Sequence, residues 1–208
     1  MSKYLITGGA GFIGCNLARY ILDKGHDVVV LDNFSTGKRE NLTEIADQIE
    51  LVEGDIRDRD TVDRAIDDCS AIFHEAALGS VPRSVEHPVA SHDTNVNGTV
   101  TVLEAARAAG IKRVVFAASS SAYGERVESP KHEAMAPMPI SPYAANKVSC
   151  EAYMQAYAAA YGMETVCLRY FNVFGPHQDP EGAYAAVIPA FVSRLLAGQA
   201  PVVFGDGE

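Results

Sequence analysis

The sequence alternates short β-branched runs with helical patterns from its first residues to about residue 170. Runs that predict strands lie at residues 4–7, 27–32, 49–55, 71–76, 113–119 and 164–170. Helical patterns separate several of them, at residues 12–24, 59–67, 93–109 and 142–161, and another follows at 188–197. Such alternation predicts an α/β fold in which a doubly wound parallel sheet is covered by helices on both faces.

Composition and charge exclude several functional classes. The 208 residues, 48% of them hydrophobic, are enough for one sizeable core. The formal charge of -10 argues against a nucleic-acid-binding protein, which needs a basic face. No apolar run is long enough for a membrane span, and the N-terminus lacks the features of a secretory signal. The four cysteines show no CxxC spacing, so we expect a reducing, cytoplasmic location and no metal site.

The segment TGGAGFIG (7–14) follows the first predicted strand and opens the first predicted helix. Gly8 allows a tight turn, Gly11 lets the backbone approach a pyrophosphate, and Gly14 lets the helix pack on the sheet. The helix N-terminus adds N–H donors and positive potential, as in Rossmann-like folds that bind dinucleotides. A glycine-rich turn without a ligand is the alternative, because the spacing is GxxGxxG rather than GxGxxG.

Two carboxylates end neighbouring predicted strands. Asp32 ends the second strand, where a carboxylate accepts hydrogen bonds from both hydroxyls of an adenosine ribose. The same charge repels the 2′-phosphate of NADP, so NAD is the expected cofactor, although the nearby Lys38 and Arg39 weaken this preference. Asp55 ends the third strand and is either an adenine-side contact, with Ile56 beside it, or the N-cap of the next helix.

A tyrosine and a lysine stand four residues apart in SPYAANK (141–147). Ser141 and Pro142 are typical of a helix N-cap and first turn, so Tyr143 and Lys147 share one helix face. A phenol is a weak base at neutral pH, but an ammonium and a nicotinamide cation nearby favour the phenolate. Such a phenolate takes a proton from a substrate hydroxyl while hydride leaves the same carbon. A chance pairing on an amphipathic helix is the alternative.

Three consecutive serines, Ser119 to Ser121, follow the fifth predicted strand. They lie at the carboxyl edge, where an open α/β sheet binds its ligands. A serine at this edge is expected to hydrogen-bond the reacting oxygen of a substrate. A serine-rich turn is the alternative.

Together these segments resemble the extended short-chain dehydrogenase/reductase family, in its NAD-dependent epimerase/dehydratase group, and most of all its UDP-sugar 4-epimerases. The matching segments occur in order along the chain: TGGAGFIG, LDNFSTGKREN, GDIRD, HEAALGSVPRS, NVNGT, SPYAANK and LRYFNVFGP. The resemblance implies C4 epimerisation of a UDP-hexose through a 4-keto intermediate, with NAD bound throughout.

Two details of the resemblance bear on the substrate and the reaction. Sugar-nucleotide 4,6-dehydratases carry an Asp-Glu pair directly after the catalytic Ser or Thr, whereas Ser120 and Ser121 stand here, which disfavours dehydration. Residues 79–84 and 178–189 resemble epimerases that accept UDP-N-acetylhexosamines, and Ala185 and Ala186 would leave room for an acetamido group. UDP-glucose or UDP-galactose is the alternative substrate.

The resemblance also implies roles for individual residues. It makes Tyr143 the base, Lys147 its ribose-binding partner and Ser119 the third catalytic residue. For Asn95, a hydrogen bond to neighbouring backbone is the alternative to an NAD contact. NAD contacts are implied at Gly8, Gly11, Phe12, Ile13, Gly14, Asp32, Asn33, Asp55, Ile56, Ala76, Asn95, Tyr143, Lys147 and Tyr170. Substrate contacts are implied at Ser80, Ser120, Ser121, Asn172, Ala186 and Val187.

The predicted domains are an NAD-binding domain over residues 1–175, which carries the catalytic triad, and the truncated start of a small substrate domain over 176–208. Residues 201–208 are predicted to form a strand and a turn. Because family members continue beyond this point, two alternatives to a working epimerase stay open. One is an NAD-binding remnant with little or no activity, and the other is a net oxidoreductase acting on a small alcohol or keto compound.

The resemblance implies a homodimer or higher homo-oligomer, because family members commonly pack two helices from each subunit together. The corresponding predicted helices are 93–109 and 142–161. Their expected outer faces include Val100, Leu103, Ala106, Met154 and Tyr157. Burial of these side chains in the core of the monomer is the alternative.

Overall fold

The structure is a computed structural model that describes residues 1–179 and 187–203. Its strands are β1 (Lys3–Thr7), β2 (Asp27–Asp32), β3 (Ile49–Glu53), β4 (Ala71–His74), β5 (Arg113–Ser119) and β6 (Glu164–Tyr170). Its helices are α1 (Phe12–Asp23), α2 (Arg59–Ala65), α3 (Val81–Glu86), α4 (Pro88–His92), α5 (Gly98–Ala108), α6 (Pro142–Tyr161) and α7 (Val187–Leu196). Two 3₁₀-helical segments cover Arg39–Gln48 and Ser120–Tyr123, and a π-helical turn covers Asp93–Asn97.

The strands form one parallel sheet in the order β3-β2-β1-β4-β5-β6. The chain runs outward from β1 to β3 and then returns to place β4 on the other side of β1. The carboxyl ends of β1 and β4 therefore flank the point where the strand order reverses, which is where open α/β sheets bind ligands. The predicted Rossmann-like α/β fold is confirmed.

Helices cover both faces of the sheet. On one face α2, α5 and α6 pack over a core that contains Leu5, Ile72 and Phe116. On the other face α1 and the 3₁₀ segment 39–48 pack over Ile6 and its neighbours. Adjacent residues of a strand thus enter opposite cores, as the strand repeat requires. Each fully buried leucine or phenylalanine contributes about 1.5–3 kcal/mol to the free energy of unfolding.

The prediction of an outer face on the two long helices is wrong for most of the residues proposed. The packing of α5 and α6 on the sheet turns their large apolar side chains inward, and Val100 is half-buried. The residues buried in the core of the monomer are Leu103, Ala106, Met154 and Tyr157.

Helix α6 begins and ends where the sequence predicts. Its N-cap Ser141 accepts a hydrogen bond from the Ala144 N–H at 3.1 Å, and Gly162 ends the helix with a φ of 69°. Helices α3 and α4 were not predicted, because elements of six and five residues are too short to show a helical repeat. The helix predicted over 93–109 begins with the π-helical turn, and α5 proper starts at Gly98.

The chain divides into two compact units, Met1–Phe171 and Asn172–Glu208. The sheet and helices α1 to α6 belong to the first unit, and α7 belongs to the second. Residues 201–203 are not in a strand, contrary to the prediction for that segment, and 204–208 lie outside the described residues. A search of the described helices finds none with the length and apolar character that a membrane crossing requires.

Candidate active site at the carboxyl edge of the sheet

The turn between β1 and α1 depends on glycine at two positions. Gly8 has a φ of +69°, and a Cβ there would lie 2.7 Å from the backbone N and Cα of Ala76. A Cβ on Gly14 would lie 2.4 Å from the carbonyl oxygen of Gly8. Real Cβ atoms do not approach backbone so closely, so this turn keeps its shape only with glycine at both positions. The start of α1 follows directly, and its N-cap Gly11 offers no side-chain hydrogen bond to the first N–H groups of the helix, which suits a phosphate group.

Asp32 lies beside this turn at the end of β2. Its side chain is buried, and Oδ2 accepts a hydrogen bond from the Ala10 N–H at 2.9 Å. Oδ1 accepts from the Phe34 N–H at 2.8 Å. A carboxylate offers about four acceptor positions, so these bonds orient Asp32 and leave capacity for two ribose hydroxyls. The turn and Asp32 therefore fit the adenosine and pyrophosphate of a dinucleotide.

Asp55 is not a helix N-cap, because Asp58 caps α2 by accepting from the Asp60 N–H. Asp55 instead accepts hydrogen bonds from Arg57 and, at 2.9 Å, from the side-chain amide of Asn33. The guanidinium of Arg57 lowers the pKa of Asp55 to about 2, so the carboxylate stays charged. Two predicted cofactor residues, Asn33 and Asp55, are thus joined beside the end of β2.

Tyr143 and Lys147 lie on α6, where it meets the end of β5. The Lys147 side chain is buried, and its Nζ donates to the carbonyl oxygen of Ala117 at 2.6 Å. The same Nζ lies 5.8 Å from the centre of the Tyr143 ring and 4.7 Å from that of Phe116. The hydrogen bond fixes the ammonium near the phenol, which is the arrangement that the spacing of four predicts.

The three serines form a compact turn at the end of β5. Ser119 Oγ accepts hydrogen bonds from the Ser121 N–H at 3.1 Å and from the Ser121 hydroxyl at 2.8 Å. Ser119 is thereby held as the N-cap of the 3₁₀ segment 120–123. All three side chains are partly exposed, so they remain accessible at the edge.

Ser84 is a positioning residue that the sequence did not indicate. It is fully buried on α3, and its Oγ accepts from the Tyr143 N–H at 2.9 Å and donates to the Val81 carbonyl at 2.7 Å. The first N–H groups of a helix lack partners within the helix, so Ser84 satisfies one of them from a distant segment. The sequence could not indicate this hydrogen bond, because 59 residues separate Ser84 from Tyr143.

Asn95 holds the loop that precedes α3. Its Oδ1 accepts from the Leu78 N–H at 2.7 Å, and its Nδ2 donates to the Leu78 carbonyl at 3.2 Å. The backbone it bonds is 17 residues away rather than on its own helix, and a direct NAD contact stays a prediction. Ser80, in the same loop, is buried and caps α3 by accepting from the Arg83 N–H, so its substrate contact also stays a prediction.

His74 is a second residue of this edge that the sequence did not indicate. It is fully buried, with Nδ1 2.6 Å from the Thr7 hydroxyl and Nε2 2.9 Å from the Thr99 hydroxyl. Burial, with a smaller effect of the Lys147 charge, lowers the pKa of His74 to about 3, so the ring is neutral. His74 thereby joins the end of β1, next to the glycine turn, to α5.

The remaining predicted residues divide between the two units. Phe12 and Ile13 begin α1, Ala76 faces Gly8, and Ile56 is buried in the core. Tyr170, at the end of β6, is also in the first unit. Asn172 and Val187 belong to the second unit, and Ala186, like Ala185, lies outside the described residues.

The described arrangement has the features of a known family of enzymes. The sequence profile of the NAD dependent epimerase/dehydratase family matches residues 4–208. This chain belongs to that family.

Several members of the epimerase/dehydratase family are similar over nearly the whole chain. A UDP-glucose 4-epimerase of Mycolicibacterium smegmatis is 44% identical, over 99% of this chain and 67% of its own length. The solved UDP-N-acetylglucosamine 4-epimerase of Methanobrevibacter ruminantium superposes with a TM-score of 0.93 at 41% identity, over 100% of this chain and 66% of that one. The Thermus thermophilus UDP-glucose 4-epimerase, solved with NAD, gives 0.86 at 41% identity, over 95% of this chain and 63% of that one. The chain spans about two thirds of the length of the curated relatives it matches.

Proposed function

We propose that this chain carries the NAD-binding and catalytic part of a UDP-hexose 4-epimerase. The observation that carries the proposal is the placement of Ser119, Tyr143 and Lys147 at the sheet edge that also bears the glycine turn. The relatives named UDP-glucose and UDP-N-acetylglucosamine 4-epimerase support this reaction. Ser120 and Ser121 favour epimerisation over dehydration, because neither can act as a carboxyl acid or base.

The residues at the edge fit NAD. The glycine turn can admit a pyrophosphate, and Asp32 has free acceptor capacity for a ribose. Arg39, whose positive charge would favour NADP, is engaged with Glu53 at 2.5 Å and lies over the Phe34 ring at 3.9 Å. These contacts support NAD as the cofactor.

In the proposed mechanism, bound NAD supplies the acceptor for a hydride from C4 of the sugar and later the donor that returns it. Tyr143 takes the proton of the C4 hydroxyl and gives it back when the hydride returns. Lys147, held by the Ala117 carbonyl, lies near the Tyr143 ring, where an ammonium can stabilise negative charge on the tyrosine oxygen. Ser119 would hydrogen-bond the sugar oxygen, and the 4-keto sugar would have to turn about its diphosphate to present its opposite face.

The test is turnover by the purified chain. The chain is incubated with NAD and either UDP-glucose or UDP-GlcNAc, and the C4 epimer is sought by chromatography. We expect epimer from at least one substrate, and the preferred substrate would identify the hexose. The matched variant Tyr143→Phe should still bind NAD, because the ring is kept, and should lose at least about 100-fold in kcat, because it lacks the general base.

Two other results would contradict the proposal. NAD binding without any epimer would favour an NAD-binding remnant, and steady release of NADH would favour a net oxidoreductase. Asn172, Ala186 and Val187 are proposed to contact the UDP-sugar. Asn172→Ala, Val187→Ala or a larger residue in place of Ala186 should raise KM without changing NAD affinity.

We also propose that the chain forms a homodimer through the exposed face of α6. This face carries small residues that allow helices to approach closely, with Tyr153 beside them. The exposed alanines of α6 are Ala145, Ala152, Ala156, Ala159 and Ala160. Light scattering should give twice the chain mass of 22.2 kDa, and Ala156→Arg should give a folded monomer. A wild-type monomer at micromolar concentration would contradict this proposal.

A cytoplasmic location is part of the same proposal. It is supported by the four free cysteines, three of which are buried. Free, buried thiols are typical of proteins in reducing compartments. Fractionation of cells that produce the chain would test it, and recovery from an oxidising compartment would contradict it.

A further inference from the structure

Glu75 is a buried carboxyl group with one oxygen that the protein does not satisfy. It directly follows β4, and its Oε1 accepts a hydrogen bond from the Tyr170 hydroxyl at 3.4 Å. Its Oε2 is buried and has no hydrogen-bond partner among the described residues. Buried polar atoms in folded proteins nearly always have a partner, so an unsatisfied carboxyl oxygen at a ligand-binding edge requires an explanation.

The order of the strands places Glu75 at a defined point along this edge. Asp32 ends β2 on one side of β1, and β4 lies on the other side, between β1 and the β5 strand that ends at Ser119. The Glu75 N–H also donates to the Thr7 carbonyl at 3.1 Å, directly before the glycine turn. A dinucleotide with its adenosine at Asp32 must therefore extend past Glu75 towards Ser119.

The charges around Glu75 indicate which group it suits. Burial raises the pKa of Glu75, while the Lys147 ammonium and the Tyr170 hydroxyl act in the opposite direction. Lys147 already donates to the Ala117 carbonyl, and none of the ion pairs between described residues joins it to Glu75. A second cation close to this carboxylate would be bound strongly, because charges interact more strongly away from water.

We propose that Glu75 recognises the nicotinamide end of NAD and favours the oxidised cofactor over NADH. The inference rests on the proposed function, because it requires NAD along this edge. The oxidised ring is a cation and the reduced ring is neutral, so only the oxidised form gains from the carboxylate. A resting enzyme that holds NAD in its oxidised form is ready to take hydride from each new substrate.

The test compares the affinities of the protein for NAD and NADH. Dissociation constants for both forms are measured by calorimetry on wild-type protein and on Glu75→Gln, which keeps the shape and an acceptor but removes the charge. We expect NAD to bind wild-type protein more tightly than NADH by about tenfold or more, and the preference to fall by a similar factor in the variant. Glu164→Gln is the control. Glu164 begins β6, at the edge of the sheet opposite to Glu75, so removing its charge should leave the preference for NAD unchanged.

The outcomes separate this inference from the function on which it rests. Equal preferences in wild-type protein and Glu75→Gln, with both cofactors bound, would overturn the role of Glu75 alone. Wild-type protein that binds neither form would overturn the proposed function and this inference together. Should Glu75→Gln fail to fold, the wild-type measurement still decides, because equal affinities for NAD and NADH contradict the proposal.

Discussion

The glycine turn and the start of α6 lie at the same edge of the sheet but obtain their geometry in opposite ways. The turn is shaped by missing side chains, since a Cβ on Gly14 would lie 2.4 Å from the Gly8 carbonyl. The start of α6 instead depends on two serine side chains. Ser141 accepts a hydrogen bond from the Ala144 N–H, and Ser84 accepts one from the Tyr143 N–H. The cofactor region should therefore tolerate no added atom, whereas the catalytic region should weaken gradually as hydrogen bonds are removed.

The largest effect is expected in the glycine turn. Gly14→Ala places a methyl group against backbone that cannot move aside without opening the turn, so NAD affinity should fall at least about 100-fold. Calorimetric titration with NAD measures this. Gly79→Ala is the matched control, because its Cβ would meet nothing within 4 Å, and it should bind NAD as wild type does. Similar losses in both variants would contradict the steric explanation.

A smaller effect is expected at His74, which joins the end of β1, next to the glycine turn, to α5. Its pKa is near 6.5 when unfolded and about 3 when folded, so the unfolded state binds the proton more readily. The stabilisation is present above pH 6.5 and is lost as the pH falls towards 3. Between pH 7 and pH 5 His74 should account for about 2 kcal/mol of lost unfolding free energy.

Denaturant unfolding of wild type and His74→Gln at both pH values measures this contribution. The variant is expected to be less stable at pH 7, because the bonds to Thr7 and Thr99 are altered, and less sensitive to acid between the two pH values. The same acid sensitivity in both proteins would show that His74 does not titrate on unfolding.

The smallest effect is expected at the start of α6. Ser84→Ala leaves the Tyr143 N–H without its acceptor and should cost about 1–2 kcal/mol of unfolding free energy. Because Tyr143 shifts, kcat should fall several-fold with NAD affinity unchanged. Ser149→Ala is the control, since it removes a hydroxyl that bonds the Ala145 carbonyl on the same helix, and kcat should be kept. An equal loss of NAD affinity and kcat in Ser84→Ala would remove the distinction between the regions.

The same contrast explains what the sequence could reveal. The glycine turn and α6 were predicted because their determinants are local: glycines at fixed spacing, and Ser-Pro before a helical pattern with Gly162 after it. The six strands were predicted for the same reason, since a buried parallel strand is a run of β-branched residues.

The supporting residues could not be predicted, because their partners are far away in the chain. Ser84 meets Tyr143 across 59 residues, and His74 meets Thr7 across 67. Asp55 shows the limit of local reasoning, because Asp55 and Asp58 are both suitable N-caps and only the packing of Arg57 and Asn33 separates them. The outer faces of α5 and α6 were misjudged because an apolar stripe does not indicate whether it meets the sheet or another subunit.

The close approach of Gly8 to Ala76 has a consequence for the order in which the chain assembles. β1 pairs with β2 on one side and with β4 on the other, so the first strand to be synthesised becomes an interior strand only after residue 71 arrives. The glycine turn rests on Ala76 and therefore lacks one wall until β4 docks. We expect cofactor affinity to appear late in refolding, when β4 docks. NAD added to a refolding reaction should therefore slow the later unfolding of the protein and leave the rate of the early folding steps unchanged.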